Sequence, residues 1–181
     1  MHIWVDADAC PNLIKNILFR AAIRTETNLT LVSNHPLSAP PSPFIHKIQV
    51  NAGFDVADNK IVQHAKPGDL VITADIPLAD AVIDKGGIAL NPRGELYSKS
   101  NIKERLSIRN FSTDLRNSGV RTGGPSVISK KEIQCFANAL DRVLVQKKIK
   151  FILPALPPNP TTTPIENYIH PTTLSHQPLP Q

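Results

Sequence analysis

The chain has 181 residues, a net charge of +5 and only 5% aromatic residues, enough for one domain with a buried core. Proline is the unusual component: of 17 residues, four lie between positions 35 and 44 and eight beyond position 150. That distribution excludes a uniform helical rod. It predicts a domain over residues 1–150, followed over 151–181 by a proline-rich tail that is extended or disordered.

No apolar run approaches the ~20 residues needed to cross a bilayer. Asp6 and Asp8 interrupt the opening stretch, so it does not read as a secretory leader. Two cysteines, Cys10 and Cys135, make no disulfide framework. The expectation is a soluble cytoplasmic protein with no membrane partner. Residues 1–98 carry 8 Lys and Arg against 10 Asp and Glu, whereas residues 99–150 carry 12 against 4. An acidic part beside a basic part suits a site that holds cations and attracts a polyanion.

In chain order, residues 2–5 (HIWV) read as a first buried strand. Pro11 suits a helix start, and the apolar spacing from Leu13 to Ala22 predicts a helix over 11–24. Residues 29–33 form a second strand. The proline-rich stretch 35–44 is an extended loop leading to an edge strand at 45–50. A short helix over 55–65 precedes a strand at 69–73, the clearest in the chain, and a helix at 77–85 closes at Gly86 and Gly87. A short strand at 88–90 is followed by helices over 101–117 and 129–150, the second opened by a capping box of Ser129 and Glu132. Apolar strands alternating with helices predict an α/β fold with a mostly parallel, doubly wound sheet.

In such sheets sites form beyond the carboxyl ends of the strands, and acids gather there. Asp6 and Asp8 follow the first strand. Asp75 follows the strand at 69–73, with Asp80 five residues on, and Asp55 and Asp58 share a face of their helix. Carboxylates packed together repel and take up protons unless a cation joins them. Oxygen-only ligation favours Mg²⁺ or Mn²⁺ over Zn²⁺. Structural roles compete: Asp8, Asp55 and Asp75 each stand where they can cap a helix. Arg93, in the turn Asn91-Pro-Arg-Gly-Glu95, can clamp a phosphate or pair with Glu95. Gly123 and Gly124 offer backbone N–H groups to a phosphate or form a plain turn. Arg105, Arg109, Arg116 and Arg121 make a stripe able to follow a nucleic-acid backbone. The six histidines show no ligand spacing, and both cysteines read as packing residues.

Five strings occur in order: VDADACP (5–11), AGFDVADNKIV (52–62), GDLVITADIPLAD (68–80), ALNPRGELY (89–97) and TGGP (122–125). Together they closely resemble the YaiI/YqxD family of bacterial proteins, which is grouped by fold with PIN-like nuclease domains. The resemblance covers residues 1 to about 144. It implies a Rossmann-like sheet, a divalent metal and phosphodiester hydrolysis of RNA. By the same resemblance, Asp6, Asp58 and Asp75 are the catalytic and metal-holding acids, with Asp8, Asp55 and Asp80 in support. Thr73 would then donate to a metal-bound water or a phosphate, while Arg93, Arg105, Arg109, Gly123 and Gly124 hold the strand. Two other readings remain open. Asp6-Ala7-Asp8 after an apolar strand also resembles the opening motif of haloacid-dehalogenase-type phosphatases, with Asp6 as nucleophile and Asp8 as general acid. The third is a non-catalytic RNA-binding module.

Overall fold

The segment Ile3–Asp6 is buried at all four positions, as expected of an interior strand with a neighbour on each side and helices over both faces. In the computed structural model, which describes residues 1–53, 55–118 and 127–152, this strand (β1) is the centre of a five-stranded sheet. β2 (Leu29–Ser33) and β4 (Leu70–Ile72) flank it, with β3 (Ile45–Gln49) and β5 (Ile88–Leu90) outside them, in the order β3-β2-β1-β4-β5. Every pairing is parallel, and Ile3 stands opposite both Leu29 and Leu70. β3 is an edge strand, and its mainly exposed or half-buried positions show why it lacks the apolar run of the others.

Side chains alternate across the sheet with period two. Ile3 and Val5 face a core built with α1 (Asn12–Thr25) and α5 (Lys130–Ile152), where Ile14, Leu18, Phe136 and Leu140 are buried. Trp4 faces the opposite core, formed with α2 (Val56–His64), α3 (Ile76–Asp84) and α4 (Ile102–Asn117). The layering is the predicted α/β arrangement.

Boundaries differ from expectation by one or two residues at several ends. Asp6 is the last residue of β1 rather than the first residue beyond it, since β1 pairs as far as Asp6 opposite Val32. Thr73 lies just past β4. α5 runs two residues past the predicted 150; the first tail proline is Pro154. The capping box forms as predicted: the Ser129 N–H donates to Glu132 Oε2 at 2.7 Å, and the Glu132 N–H donates to Ser129 Oγ at 3.2 Å. The turn at 122–125, with Gly123 and Gly124, and the tail beyond 152 lie outside the described residues.

Asp69 anchors the opposite, N-terminal edge of the sheet. It is buried, and it accepts hydrogen bonds from the His2 N–H at 2.7 Å, the Lys66 N–H at 3.0 Å and Trp4 Nε1 at 3.4 Å. An acid at a strand's start is thus occupied by main-chain donors.

Candidate functional site

From β1 the chain steps outward to β2 and β3, then returns through α2 to place β4 on β1's other side. The loops leaving the carboxyl ends of β1 and β4 therefore diverge and open a crevice, the usual ligand position in open α/β sheets. Asp6 closes β1, Thr73 and Asp75 follow β4, and α2 brings Asp55 and Asp58 over the same edge. The crevice measures about 460 Å³, and Asp6, Asp8, Asp55, Asp58 and Asp75 all line it.

Each acid is held differently. Asp6 is buried, with 7% of its surface exposed, and Oδ2 accepts from the Thr73 hydroxyl at 3.2 Å. The Thr73 Oγ1 in turn accepts from the Asp75 N–H at 2.9 Å, so one threonine ties two acid-bearing strand ends together. Burial raises the proton affinity of Asp6 against the opposing Thr73 and Ala9 hydrogen bonds, and Asp8 and Asp75 add repulsion. Asp58, in the first turn of α2 and half-buried, is pushed up to about 6. Burial is the main cause, followed by the charges of Asp6, Asp75 and Asp55. That mutual repulsion is the electrostatic signature of carboxylates sharing one space.

Asp75 is also the N-cap of α3, with Oδ1 accepting from the Leu78 N–H at 2.9 Å. Its Oδ2 stands 3.7 Å from Arg109 Nη2. Asp55 precedes α2 with φ 56° and makes no side-chain cap bond, a left-handed conformation that Asp tolerates better than most residues. Asp8 does not cap α1, whose N-cap Pro11 has no side-chain bond. It braces the end of β2 instead, accepting from Ser33 Oγ at 2.5 Å and the Asn34 N–H at 2.7 Å, with His35 Nδ1 at 3.2 Å. Burial works against ionisation of Asp8, but these donors hold its carboxyl below the usual range.

Not all the predicted residues meet. Asp80, half-buried on α3, does not line the cleft. Arg93 pairs with Glu132 of α5 at 2.5 Å rather than with its neighbour Glu95, and Arg105 takes Glu95 with 2.7 Å to both oxygens. Both arginines thereby hold elements together. Arg109 alone of these three borders the carboxylates. Cys10 is buried and its thiol is pushed up to about 12, chiefly by burial, so it is chemically quiet.

Asn34 lines the cleft beside Asp8, although it belongs to none of the acidic or basic patterns of the sequence. Its Oδ1 is buried with no hydrogen-bond partner among the described residues. Its position immediately after β2, at the sheet edge that carries the acids, was the available signal.

The model of the uncharacterized YaiI/YqxD family matches residues 4–146. The chain belongs to that family. Its relatives include a UPF0178 protein of Shewanella loihica, 62% identical over 146 residues, or 81% of this chain and 97% of the relative. A UPF0178 protein of Pectobacterium carotovorum is 60% identical over 82% of this chain and 99% of its own length. One from Colwellia psychrerythraea is 62% identical over 82% and 98%. Nearly all of each relative is thus covered by about four-fifths of this chain. No solved structure matches. Among the described residues no helix is long and apolar enough to cross a membrane.

Proposed function

We propose that the cleft is a metal-dependent nuclease site of the PIN-like kind, hydrolysing phosphodiester bonds in RNA rather than DNA with Mg²⁺ or Mn²⁺. The observation that carries this reading is the convergence of Asp6, Asp58 and Asp75 from three chain segments on one open cleft, where their charges repel. The donor set is all oxygen, which suits a hard cation. Among the described residues no three acids, histidines or cysteines stand ready to hold a metal by themselves. Mg²⁺ does not need that: it is commonly bound through one or two carboxylates, with waters and substrate phosphates completing its shell. Asp6 and Asp75, linked through Thr73, are the pair suited to hold it, with Asp58 opposite.

When bound, the cation would polarise the phosphoryl oxygens and neutralise developing charge. The protein's own groups do the rest. Asp58, with its raised proton affinity, is placed to take a proton from the attacking water as that oxygen bonds to phosphorus and the ester oxygen leaves. Thr73 fixes the Asp6 carboxylate, and Asp8 holds the β2 end of the cleft in place. Arg109, at the cleft's border, offers a guanidinium to a phosphate. The basic stretch over 99–150 supplies long-range attraction for a polyanion. A haloacid-dehalogenase-like mechanism fits less well, because it needs Asp8 as a proton donor, whereas the donors from Ser33 and Asn34 favour its ionised form.

A 5′-labelled single-stranded RNA incubated with the protein and Mn²⁺ is expected to be cut, and EDTA is expected to stop the reaction. RNA and DNA left intact with Mn²⁺, alongside salt-dependent RNA binding, would favour the non-catalytic module instead.

A further inference from the structure

A second pocket of about 260 Å³ opens beside the cleft, between α2, α3 and α4. Val62, Pro77, Leu78 and Ala81 give it an apolar wall, and Asn59 and Arg109 add polar groups. It shares Asp55, Asp58 and Asp75 with the acidic cleft, so the two spaces meet along a row of carboxylates. We propose that this pocket is a nucleobase subsite that prefers guanine. The proposal deepens the nuclease reading and rests on it for the presence of a nucleotide at the cleft.

The chemistry of the lining leads to the base. An apolar wall suits the face of a flat aromatic ring, as in other small-molecule pockets where a few polar groups fix orientation. The carboxylate row accepts hydrogen bonds and donates none when ionised. Asp75 already spends Oδ1 on the Leu78 N–H, whereas Asp55 is exposed and makes no cap bond. Asp55 is therefore the acid best suited to read a base edge. Guanine offers N1–H and the 2-amino group side by side, matching the two oxygens of one carboxylate. Adenine and cytosine offer an amine next to a ring acceptor, and uracil an N–H between two carbonyls, so both oxygens cannot be satisfied. Arg109 lies within ion-pair distance of Asp75, at 3.7 Å, too far for a direct hydrogen bond. A nucleotide phosphate at the junction of the two pockets would draw that guanidinium into a stronger, bidentate contact.

The test is calorimetric binding of guanosine and uridine 5′-monophosphates to the full chain in Mg²⁺, with guanosine as a phosphate-free control. Wild type is expected to bind guanosine monophosphate about tenfold more tightly than uridine monophosphate. Asp55→Asn, an exposed substitution, is expected to abolish that preference. Arg109→Ala is expected to bring guanosine monophosphate down to the affinity of guanosine. Ala81→Phe, which fills the pocket, is expected to weaken both nucleotides. Equal binding of the two monophosphates by wild type, or a preference that survives Asp55→Asn, overturns the proposal. If RNA is cleaved but no preference exists, only the subsite fails; if the preference holds without cleavage, only the nuclease reading fails.

Discussion

Asp6→Asn is expected to lower the Mn²⁺-dependent cleavage rate about 10³-fold, a loss of roughly 4 kcal/mol of transition-state stabilisation, while leaving the fold intact. Asn keeps the shape of Asp and an oxygen that can accept from Thr73, so the link between the ends of β1 and β4 survives. What disappears is the charge. Because burial and like charges already oppose that charge, its removal is also expected to raise Tm at neutral pH. Asp58 allows the pH dependence to be worked out. Its carboxyl titrates at about 6 in the folded chain, against an ordinary 3.8. The native state therefore binds more protons than the unfolded one between these values. The resulting stabilisation is fully present below about pH 4 and is lost as the pH rises through about 6. In Asp58→Asn that pH-dependent loss is absent, so its Tm advantage over wild type grows from pH 4 to pH 7. A rate loss accompanied by a lower Tm in Asp6→Asn would mean that the residue holds the fold rather than performs the chemistry.

Gly94→Ala is expected to cost about 3–5 kcal/mol, or roughly 10 °C in Tm, from positive-φ strain together with overpacking. Gly94 has φ 93°, a conformation that side-chain-bearing residues rarely adopt. A Cβ there would lie 2.5 Å from the Phe136 nitrogen and 2.6 Å from the Cys135 carbonyl carbon. Both are backbone atoms of α5 and cannot swing aside as a flexible side chain can. The turn from Asn91 to Gly94 is pressed against α5 at this point, and Arg93 reaches Glu132 across the same contact. That makes Phe136, buried in the core with Ile14 and Leu18, dependent on a residue in a surface turn. Thermal melts of wild type and Gly94→Ala check this; an unchanged Tm would show that α5 can shift away.

The element order was readable because the inner strands β1, β2 and β4 are buried along their whole length. A run such as Ile3-Trp-Val has no solvent face to interrupt it, and the helices carry apolar residues at three- and four-residue spacing. The acids at the strand ends were readable for the same reason: a polar residue closing an apolar run marks the sheet's carboxyl edge. The family strings added the order of the motifs. Partners far apart in sequence were not readable. Asp8 reaches residues 33–35, and Arg93 reaches Glu132 across 39 positions. Helical spacing rules describe neighbours within one element and are silent about such pairs. Asp80 shows the limit within an element, since closeness to Asp75 in sequence did not bring it to the cleft. Asp69 looked like an ordinary strand start, and only the fold shows the backbone donors from residues 2 and 66 meeting there.

The cation site is the claim on which the function rests, and anomalous diffraction from crystals soaked in Mn²⁺ tests it most directly. A manganese peak among the carboxylates of Asp6, Asp58 and Asp75, absent in Asp6→Asn crystals, is the expected result. A cleft without a peak at saturating Mn²⁺ would contradict it.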